Sequence, residues 1–217
     1  MSFFDKYEAA IFDLDGTLID SMHLWNNICS DWLSSKNIIP GETLEADVWN
    51  MTLSQSAEYV RQNYKLNLSC EEIIFQWEDE LTSRYLKGSR LKQGVKELLE
   101  ALSSKNKKLG IATYSFIRST ETILEHYEIY SYFNSFNYAH KQNKKDPGFW
   151  LDAAKCLNTL PEKCIVFEDS FSSIEGVKLA GMGVAAVFDP ACFDWQELSK
   201  ASDIALDYPG QALLYLK

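Results

Sequence analysis

Four short apolar runs, each ending in polar or small residues, set the main limit on the fold. They cover residues 9–12, 109–112, 164–167 and 184–188 of the 217-residue chain. Runs of this length are typical of strands that are buried on both faces of a parallel sheet. Apolar residues at helical spacing lie between the later runs. This alternation predicts an α/β fold with a Rossmann-like, doubly wound parallel sheet.

The stretch between the first and second runs breaks this alternation. From about residue 22 to residue 87 the sequence shows helical stripes and no strand pattern. The first stripe spans residues 24–33, and Ser69 with Glu72 has the spacing of a capping box that opens another helix. We therefore predict an all-α cap domain at residues 21–87, inserted into a Rossmann-like α/β core of residues 1–20 and 88–217.

Composition narrows the range of partners. The formal net charge of -10 argues against the basic surface that binds nucleic acid or anionic lipid. No apolar run is long enough to span a membrane, and the first residues do not resemble a signal peptide. The five cysteines are widely spaced, which argues against a disulfide framework or a zinc site. We expect a soluble cytoplasmic protein of unknown oligomeric state.

Two pairs of acidic residues follow predicted strands. Asp13 and Asp15 come after the first run, and Glu168 and Asp169 come after the third. In an open parallel sheet, ligands bind beyond the carboxyl ends of the strands, so four carboxylates converge there if both strands are central. Burying them without a counter-charge would force protonation or carry a large energetic cost. A hard cation such as Mg²⁺ resolves this, because it accepts carboxylate and phosphate oxygens.

The segments FDLDGTLIDS, GIATYS, VFEDS and AGM, with a lysine before a helix, resemble the motifs of the haloacid dehalogenase (HAD) superfamily. The similarity is closest to its phosphatase and β-phosphoglucomutase-like branch, which carries a helical cap after the first motif. The resemblance covers nearly the whole chain. It implies an enzyme with a Mg²⁺ cofactor that transfers phosphoryl groups through a phosphoaspartyl intermediate.

The resemblance also implies a role for each matching residue. Asp13 corresponds to the nucleophile, and Asp15 to the general acid/base that dehalogenases of the superfamily lack. Thr113 would bind the transferring phosphoryl group, together with main-chain N–H groups of Tyr114 and Ser115. The implied metal ligands are Asp13, Asp15 through its main-chain carbonyl, Glu168 and Asp169.

The lysine motif departs from the family pattern. Relatives read K-P-x-P-D before a helix, whereas this chain reads NKKDPGFW. Aligning Pro147 and a helix that begins near Phe149 makes Lys144 the catalytic and substrate-binding lysine, with Lys145 as the alternative. Such a lysine offsets negative charge on the nucleophile and on the phosphoryl oxygens. Tyr114 is a second departure, since most relatives have a small residue there.

Two positions in the cap bear on the type of reaction. The histidine that assists transfer in phosphoglucomutase-like relatives corresponds to Trp25 in this chain. The segment WNMTLSQS matches the region where relatives carry an arginine that binds a second phosphate, and it contains no basic residue. Because a mutase must hold two phosphate groups, both departures favour hydrolysis. Whether Trp25 and the nearby His23 face the site stays open. Trp25, Trp49 and Met51 form either a wall for an organic phosphate or part of the cap's own core.

The leading hypothesis is a Mg²⁺-dependent phosphatase that hydrolyses a small organic phosphomonoester. A β-phosphoglucomutase-like sugar-phosphate mutase is the second enzyme hypothesis. A non-catalytic phosphate-sensing or interaction module is the alternative from a different class, and it predicts that a catalytic residue or a metal ligand is missing. The expected partner is a small phosphorylated molecule, not nucleic acid or a membrane.

Overall fold

The computed structural model describes residues 2–49, 51–139 and 143–216, and eight strands lie within them. They are β1 (Ala9–Phe12), β2 (Ile19–Asp20), β3 (Arg90–Leu91), β4 (Lys108–Thr113), β5 (Ser135–Tyr138), β6 (Cys164–Glu168), β7 (Gly183–Val187) and β8 (Ile204–Leu206). Six of them form one parallel sheet in the order β5-β4-β1-β6-β7-β8. The predicted parallel sheet is confirmed, and each apolar run is one of its strands.

Ten α-helices lie in the same described ranges. They are α1 (Met22–Trp25), α2 (Ile28–Ser35), α3 (Leu44–Val48), α4 (Leu53–Asn63), α5 (Cys70–Gly88), α6 (Val95–Ser104), α7 (Ile117–His126), α8 (Pro147–Cys156), α9 (Phe171–Leu179) and α10 (Trp195–Ala201). Helices α6 and α7 pack on one face of the sheet, and α8, α9 and α10 pack on the other. None of the described helices is both long and apolar enough to cross a membrane.

The central strand β1 shows why its sequence is continuously apolar. Successive side chains of a strand point to opposite faces of the sheet. Ala10 and Phe12 face the hydrophobic cluster beneath α6 and α7, whereas Ala9 and Ile11 face the cluster beneath α8, α9 and α10. All four side chains are fully buried, and burying a large one such as Phe12 contributes about 1.5–3 kcal/mol.

Strands β2 and β3 form a separate antiparallel ribbon where the chain leaves the α/β core and returns to it. Ile19 pairs with Leu91, and Asp20 pairs with Arg90. Helices α1 to α5 lie between these two strands in the sequence, and the described part of this stretch contains no strand. The ribbon adjoins the predicted boundaries of the cap. The division into two domains stays a prediction.

The first helical stripe of the cap is split between two helices. After α1, Asn27 has a left-handed backbone conformation (φ 58°), and α2 begins at the next residue. Asparagine visits this conformation more readily than most residues do. Arg84 of α5 stabilises the break, since its guanidinium donates to the carbonyl oxygens of Leu24 (3.2 Å) and Asn26 (3.0 Å).

The long helix α5 attaches the cap to the α/β core. It begins with the predicted capping box, in which Ser69 and Glu72 each accept a main-chain N–H from the other. Further along α5, the carboxylate of Glu78 accepts the main-chain N–H of Arg118 (2.8 Å), in the first turn of α7. Because α7 follows β4, this contact lies near the carboxyl edge of the sheet.

Candidate active site

The register between β1 and β6 brings the acidic motifs together. Phe12 pairs with Phe167, and the N–H of Asp13 donates to the carbonyl oxygen of Phe167 (3.0 Å). Asp13 therefore lies beside Glu168 at the carboxyl edge of the sheet. Strand β4 pairs with the other side of β1, so Thr113 ends at the same edge.

Asp13, Glu168 and Asp169 form one buried acidic cluster. One carboxylate oxygen from each lies within 4.8 Å of the others, and at most 7% of each residue is exposed. Main-chain N–H groups of Asp169 (2.8 Å) and Ser170 (2.9 Å) donate to Glu168 Oε2. These bonds fix the orientation of Glu168, whose other oxygen faces a buried lysine.

That lysine is Lys144, of which 2% is exposed. Its Nζ donates to Asp13 Oδ1 (2.6 Å) and to Glu168 Oε1 (2.8 Å). Lys145, the alternative left by the sequence alignment, has an exposed side chain. The structure therefore brings Lys144, and not Lys145, into direct contact with the acidic cluster.

Three residues fix the loop that carries Lys144. The Tyr114 hydroxyl accepts the Lys144 N–H (2.7 Å), and the Trp150 indole donates to the Lys144 carbonyl oxygen (2.7 Å). A Cβ on Gly176 of α9 would lie 2.2 Å from the same carbonyl oxygen, so only glycine permits this approach. These roles of Trp150 and Gly176 are not visible in the sequence, because both residues lie in ordinary amphipathic helix patterns.

The charges of the acidic cluster shift the pKa values of its members. Burial alone would lower the pKa of Lys144, but the charges of Asp13 and Glu168 outweigh it and raise that pKa. Burial alone would raise the pKa of Glu168, and the charge of Lys144 lowers it. For Asp13 and Asp169, burial and the charge of Glu168 raise the pKa above its ordinary value.

These shifts indicate that the cluster lacks positive charge. Three carboxyl groups face one ammonium, and two of the carboxyl groups are therefore hard to ionise. A divalent cation among their oxygens would supply that charge, and carboxylate oxygens are ligands that Mg²⁺ prefers. Asp13, Glu168 and Asp169 thus fit the implied cofactor.

The carboxylate of Asp15 lies outside this cluster and is held by other residues. Its Oδ1 accepts hydrogen bonds from the hydroxyls of Ser21 (2.6 Å) and Tyr85 (2.5 Å). Burial raises the pKa of Asp15, and these two donors act in the opposite direction. Burial and the Asp15 charge hold the pKa of Tyr85 well above its ordinary value, so the phenol keeps its proton. These side-chain contacts do not test the predicted metal ligand, the main-chain carbonyl of Asp15.

The three residues predicted to bind the phosphoryl group follow one another at the end of β4. Thr113 and Tyr114 line a cavity between the α/β core and the cap, and Thr113 Oγ1 accepts the N–H of Ser115 (2.9 Å). Ser115 is fully buried and lies outside the described cavity wall, with its Oγ 3.0 Å from the Tyr85 hydroxyl. Thr113 and Tyr114 can contact a ligand directly, whereas Ser115 holds their loop. The phosphate-binding roles stay predictions.

Gly16 packs directly against the acidic cluster. Its φ of +77° lies in the left-handed region, which glycine adopts without steric cost. A Cβ at this position would lie 2.1 Å from Asp169 Oδ2. The next residue, Thr17, donates from its hydroxyl to Asp169 Oδ1 at 3.4 Å. The D-x-D-G-T motif therefore positions Asp169 as well as carrying its own two aspartates.

A cavity of about 310 Å³ lies above this cluster, between the α/β core and the cap. Its floor is polar and includes Asp13, Asp15, Thr113, Lys144, Glu168 and Asp169. Its opposite wall is mainly apolar and comes from the cap. The large cap side chains in this wall are Met22, Trp25, Ile28, Val48, Trp49, Met51, Leu53 and Trp77. Among the described residues, Glu45 is the one charged side chain that the cap contributes.

The aromatic residues of the cap wall answer a question that the sequence left open. Trp25, Trp49 and Met51 all line the cavity, and Trp25 also stacks on Phe116 of the core (6.0 Å between ring centroids). His23 lies outside the described wall; its side chain is exposed and its Nδ1 lies 3.7 Å from Asp20 Oδ1. Trp25 therefore faces the site, and His23 does not.

A parallel α/β sheet with an acidic cluster at its carboxyl edge, under a helical insertion after β1, is the architecture of a HAD-type hydrolase. Residues 10–187 match the haloacid dehalogenase-like hydrolase family, and the chain belongs to that family. The family and the enzyme class predicted from the sequence, an HAD-like phosphatase, are confirmed.

Three bacterial proteins are among those similar to this chain. The chain is 28% identical to the phosphorylated carbohydrates phosphatase of Thermotoga maritima over 212 residues, which cover 97% of this chain and 98% of the relative. It is similar to CbbY from Rhodobacter sphaeroides in complex with phosphate, with a TM-score of 0.81, 17% identity and coverage of 95% and 96%. For β-phosphoglucomutase from Clostridium difficile, the TM-score is 0.74, the identity 24% and the coverage 94% and 92%. At these identities the two structures support the fold alone.

Proposed function

We propose that this enzyme is a Mg²⁺-dependent phosphatase that hydrolyses a small organic phosphomonoester through a phosphoaspartyl intermediate. The observation that carries the proposal is the contact of Lys144 with Asp13 at the floor of a cavity that also contains Asp15. A nucleophile, a group for proton transfer and a fixed cation are thereby within reach of one phosphate group. The finding that all predicted catalytic residues are present argues against a non-catalytic module.

The first step is phosphoryl transfer to Asp13. A carboxylate oxygen of Asp13 forms a bond to phosphorus as the bond from phosphorus to the ester oxygen breaks. Asp15 gives its proton to the departing oxygen, which leaves as an alcohol. The ammonium of Lys144 and the hydroxyl of Thr113 stabilise the negative charge on the phosphoryl oxygens.

The second step is hydrolysis of the phosphoaspartyl group. The carboxylate of Asp15, now ionised, takes a proton from a water molecule that attacks phosphorus. The bond from phosphorus to Asp13 breaks, inorganic phosphate forms, and both aspartates return to their starting state. General acid/base catalysis of this kind typically contributes about 10²–10⁴-fold in rate.

The metal would be held by Asp13, Glu168 and Asp169, with the main-chain carbonyl of Asp15 as a further ligand. The chemistry that bound Mg²⁺ supplies is neutralisation of charge on the phosphoryl oxygens. It would also make Asp13 and Asp169 easier to ionise, since their oxygens lie in the same cluster.

The cap wall favours hydrolysis over a mutase reaction. A sugar-phosphate mutase must hold a second phosphate group on the side of the cavity away from Asp13. In the described part of the chain, the cap side of the cavity carries no lysine, arginine or histidine, and its charged residue is Glu45. A second phosphate would be repelled there, because like charges in a partly dehydrated site disfavour each other.

The same wall suits an uncharged organic group. Trp25, Trp49 and Met51 offer apolar surface for it, and burial of that surface favours binding. Trp77 also lines the cavity, but its indole N–H is buried and is not exposed to a ligand there. We therefore propose a substrate with one phosphate and an uncharged organic part.

The test is release of inorganic phosphate from 4-nitrophenyl phosphate and from a panel of sugar and nucleoside monophosphates, each with Mg²⁺ and with EDTA. We expect turnover with Mg²⁺, none with EDTA, and none in the Asp13→Asn variant. Asp152→Asn is the matched control, since Asp152 is exposed on α8, and it should keep wild-type activity.

Four outcomes would contradict the proposal. Hydrolysis that persists in Asp13→Asn would exclude Asp13 as nucleophile, and activity that is unchanged in EDTA would exclude the metal. If phosphate stays esterified and moves between hydroxyls of a sugar phosphate, as seen by phosphorus NMR, the enzyme is a mutase. Phosphate binding without turnover on the whole panel would favour a sensing module.

A further inference from the structure

The carboxyl group of Asp15 is held by two residues to which the sequence motifs assign no role. Tyr85, near the end of α5, donates from its hydroxyl to Asp15 Oδ1 at 2.5 Å. Ser21, which follows β2, donates to the same oxygen at 2.6 Å. The two donors lie on the two segments that connect the α/β core to the cap. Each connection therefore supplies one hydrogen bond to Asp15.

Tyr85 is also joined to the loop after β4. Its hydroxyl lies 3.0 Å from Ser115 Oγ, and the N–H of Ser115 donates to Thr113 Oγ1 (2.9 Å). Tyr85 is almost fully buried, with 1% of the residue exposed. A phenol hydroxyl with partners on both sides is held in one place, so it can define the orientation of a carboxyl group.

Two hydrogen bonds to the same oxygen suit a group that must both give and take a proton. An ionised carboxylate accepts on either oxygen, and in a protonated carboxyl group the carbonyl oxygen still accepts. With Oδ1 occupied by two donors, the proton that Asp15 exchanges is carried on Oδ2. The same pair of bonds can persist through both steps of the reaction.

We infer that Tyr85 is a positioning residue that, with Ser21, orients Asp15 for proton transfer. This inference rests on the proposed function. Neither Tyr85 nor Ser21 belongs to the described cavity wall, so neither is placed to touch the substrate. Tyr85 acts through Asp15, and its removal should impair the step in which Asp15 gives a proton to the leaving oxygen.

The test compares two esters of similar size that differ in their need for a proton donor. Phenol is a poorer leaving group than 4-nitrophenol, so hydrolysis of phenyl phosphate depends more on Asp15. For Tyr85→Phe we expect kcat/KM to fall about 30-fold with phenyl phosphate and less than about fivefold with 4-nitrophenyl phosphate. kcat/KM is the appropriate constant because it reports on steps up to the first phosphoryl transfer.

Tyr127→Phe is the matched control. The Tyr127 hydroxyl bonds to the main chain and side chain of Ser89, one turn beyond Tyr85, and makes no contact with Asp15. This variant loses a partly buried tyrosine hydroxyl near the same end of α5, and both esters should be hydrolysed as in wild type. Ser21→Ala removes the other donor and should show the same preference for the better leaving group as Tyr85→Phe does.

The outcomes are distinguishable. Equal losses on both esters, or no loss on either, in Tyr85→Phe would overturn the inference while wild-type turnover leaves the proposed function intact. If Tyr85→Phe fails to fold by circular dichroism, Ser21→Ala decides, and equal losses there would overturn the inference. If wild type hydrolyses neither ester nor any of the phosphate panel, the proposed function itself is wrong.

Discussion

The floor and the cap wall of the cavity are built in different ways. The floor is made of polar and charged side chains at the ends of paired strands and on the loop before α8, and its ionic groups contact one another at hydrogen-bond distance. The wall is made of aromatic and aliphatic side chains from the helices and loops of the cap, with Glu45 as its charged member among the described residues. Under the proposed function, the floor would bind a phosphate group and the wall an uncharged organic group.

This difference indicates which part of the cavity should determine catalysis and which should determine substrate binding. Strand register and the loop that carries Lys144 fix the floor, so a bound phosphate group would meet the same geometry whatever organic group it carries. Packing between helices fixes the wall, and packed apolar surfaces tolerate substitution with modest changes in energy. Changes in the floor should therefore alter catalysis, and changes in the wall should alter substrate binding.

Removal of the buried cation should have the largest effect. For Lys144→Ala we expect kcat to fall about 10³-fold, because the negative charge on Asp13 and on the phosphoryl oxygens is no longer offset. Lys145→Ala, at the exposed neighbour, should cost less than about tenfold. Steady-state kinetics of both variants on one ester measures the two losses of kcat. A larger loss for Lys145→Ala would assign the catalytic role to Lys145.

A methyl group at Gly16 should weaken metal binding. In Gly16→Ala the new Cβ would displace the Asp169 carboxylate, so the Mg²⁺ concentration for half-maximal activity should rise about 10–100-fold. Gly181→Ala is the matched control, because Gly181 has nearly the same φ (+78°) and a Cβ there meets nothing within 4 Å. If this Mg²⁺ concentration rose equally in both variants, backbone strain and not displacement of Asp169 would be the cause.

Truncation of the cap wall should raise KM with little change in kcat. For Trp49→Ala we expect KM for phenyl phosphate to rise about five- to tenfold, since apolar contact with the organic group is lost. Inhibition by inorganic phosphate, which we expect to bind at the floor alone, should not change. Phe75→Ala is the control, because Phe75 is equally exposed (54%) and lies outside the described wall. A weaker phosphate inhibition in Trp49→Ala would show that the two halves are not separate.

The smallest effect should be on stability alone. Arg84 joins α5 to the break between α1 and α2 through two carbonyl oxygens and to Asp31 through an ion pair. We expect Arg84→Ala to lower the free energy of unfolding by about 1–2 kcal/mol in denaturant titration. Arg61→Ala, which removes an exposed pair with Glu58, should leave it unchanged. Equal stability of both variants would mean that the break does not depend on Arg84.

The sequence predicted the central strands of the sheet and missed those at its edges. A strand between two neighbours is buried on both faces, which leaves a continuous apolar run such as residues 9–12. The edge strands β5 and β8 are only partly buried and contain polar or exposed positions, so no such run marks them. The ribbon of β2 and β3 has two residues in each strand, too few to show a period.

The residues of the candidate site also differ in whether the sequence alone could identify them. Asp13, Asp15, Glu168 and Asp169 could be found because they follow apolar runs, where charge is unexpected. Tyr85 could not, since a buried tyrosine in a helical stripe reads as part of the hydrophobic core. The one available signal was that a buried hydroxyl needs a partner, and the sequence does not say which.

The sequence by itself determined which chemical groups are present and that they follow strands of a parallel sheet, because local patterns mark the buried strands and parallel strands end at one edge. Tertiary structure decided which lysine meets Asp13, which residues hold Asp15, and which cap side chains face the phosphate site. These outcomes depend on loop paths and helix packing between residues far apart in the chain. A contact such as that of Tyr85 with Asp15, 70 residues apart, is therefore visible only in the folded molecule.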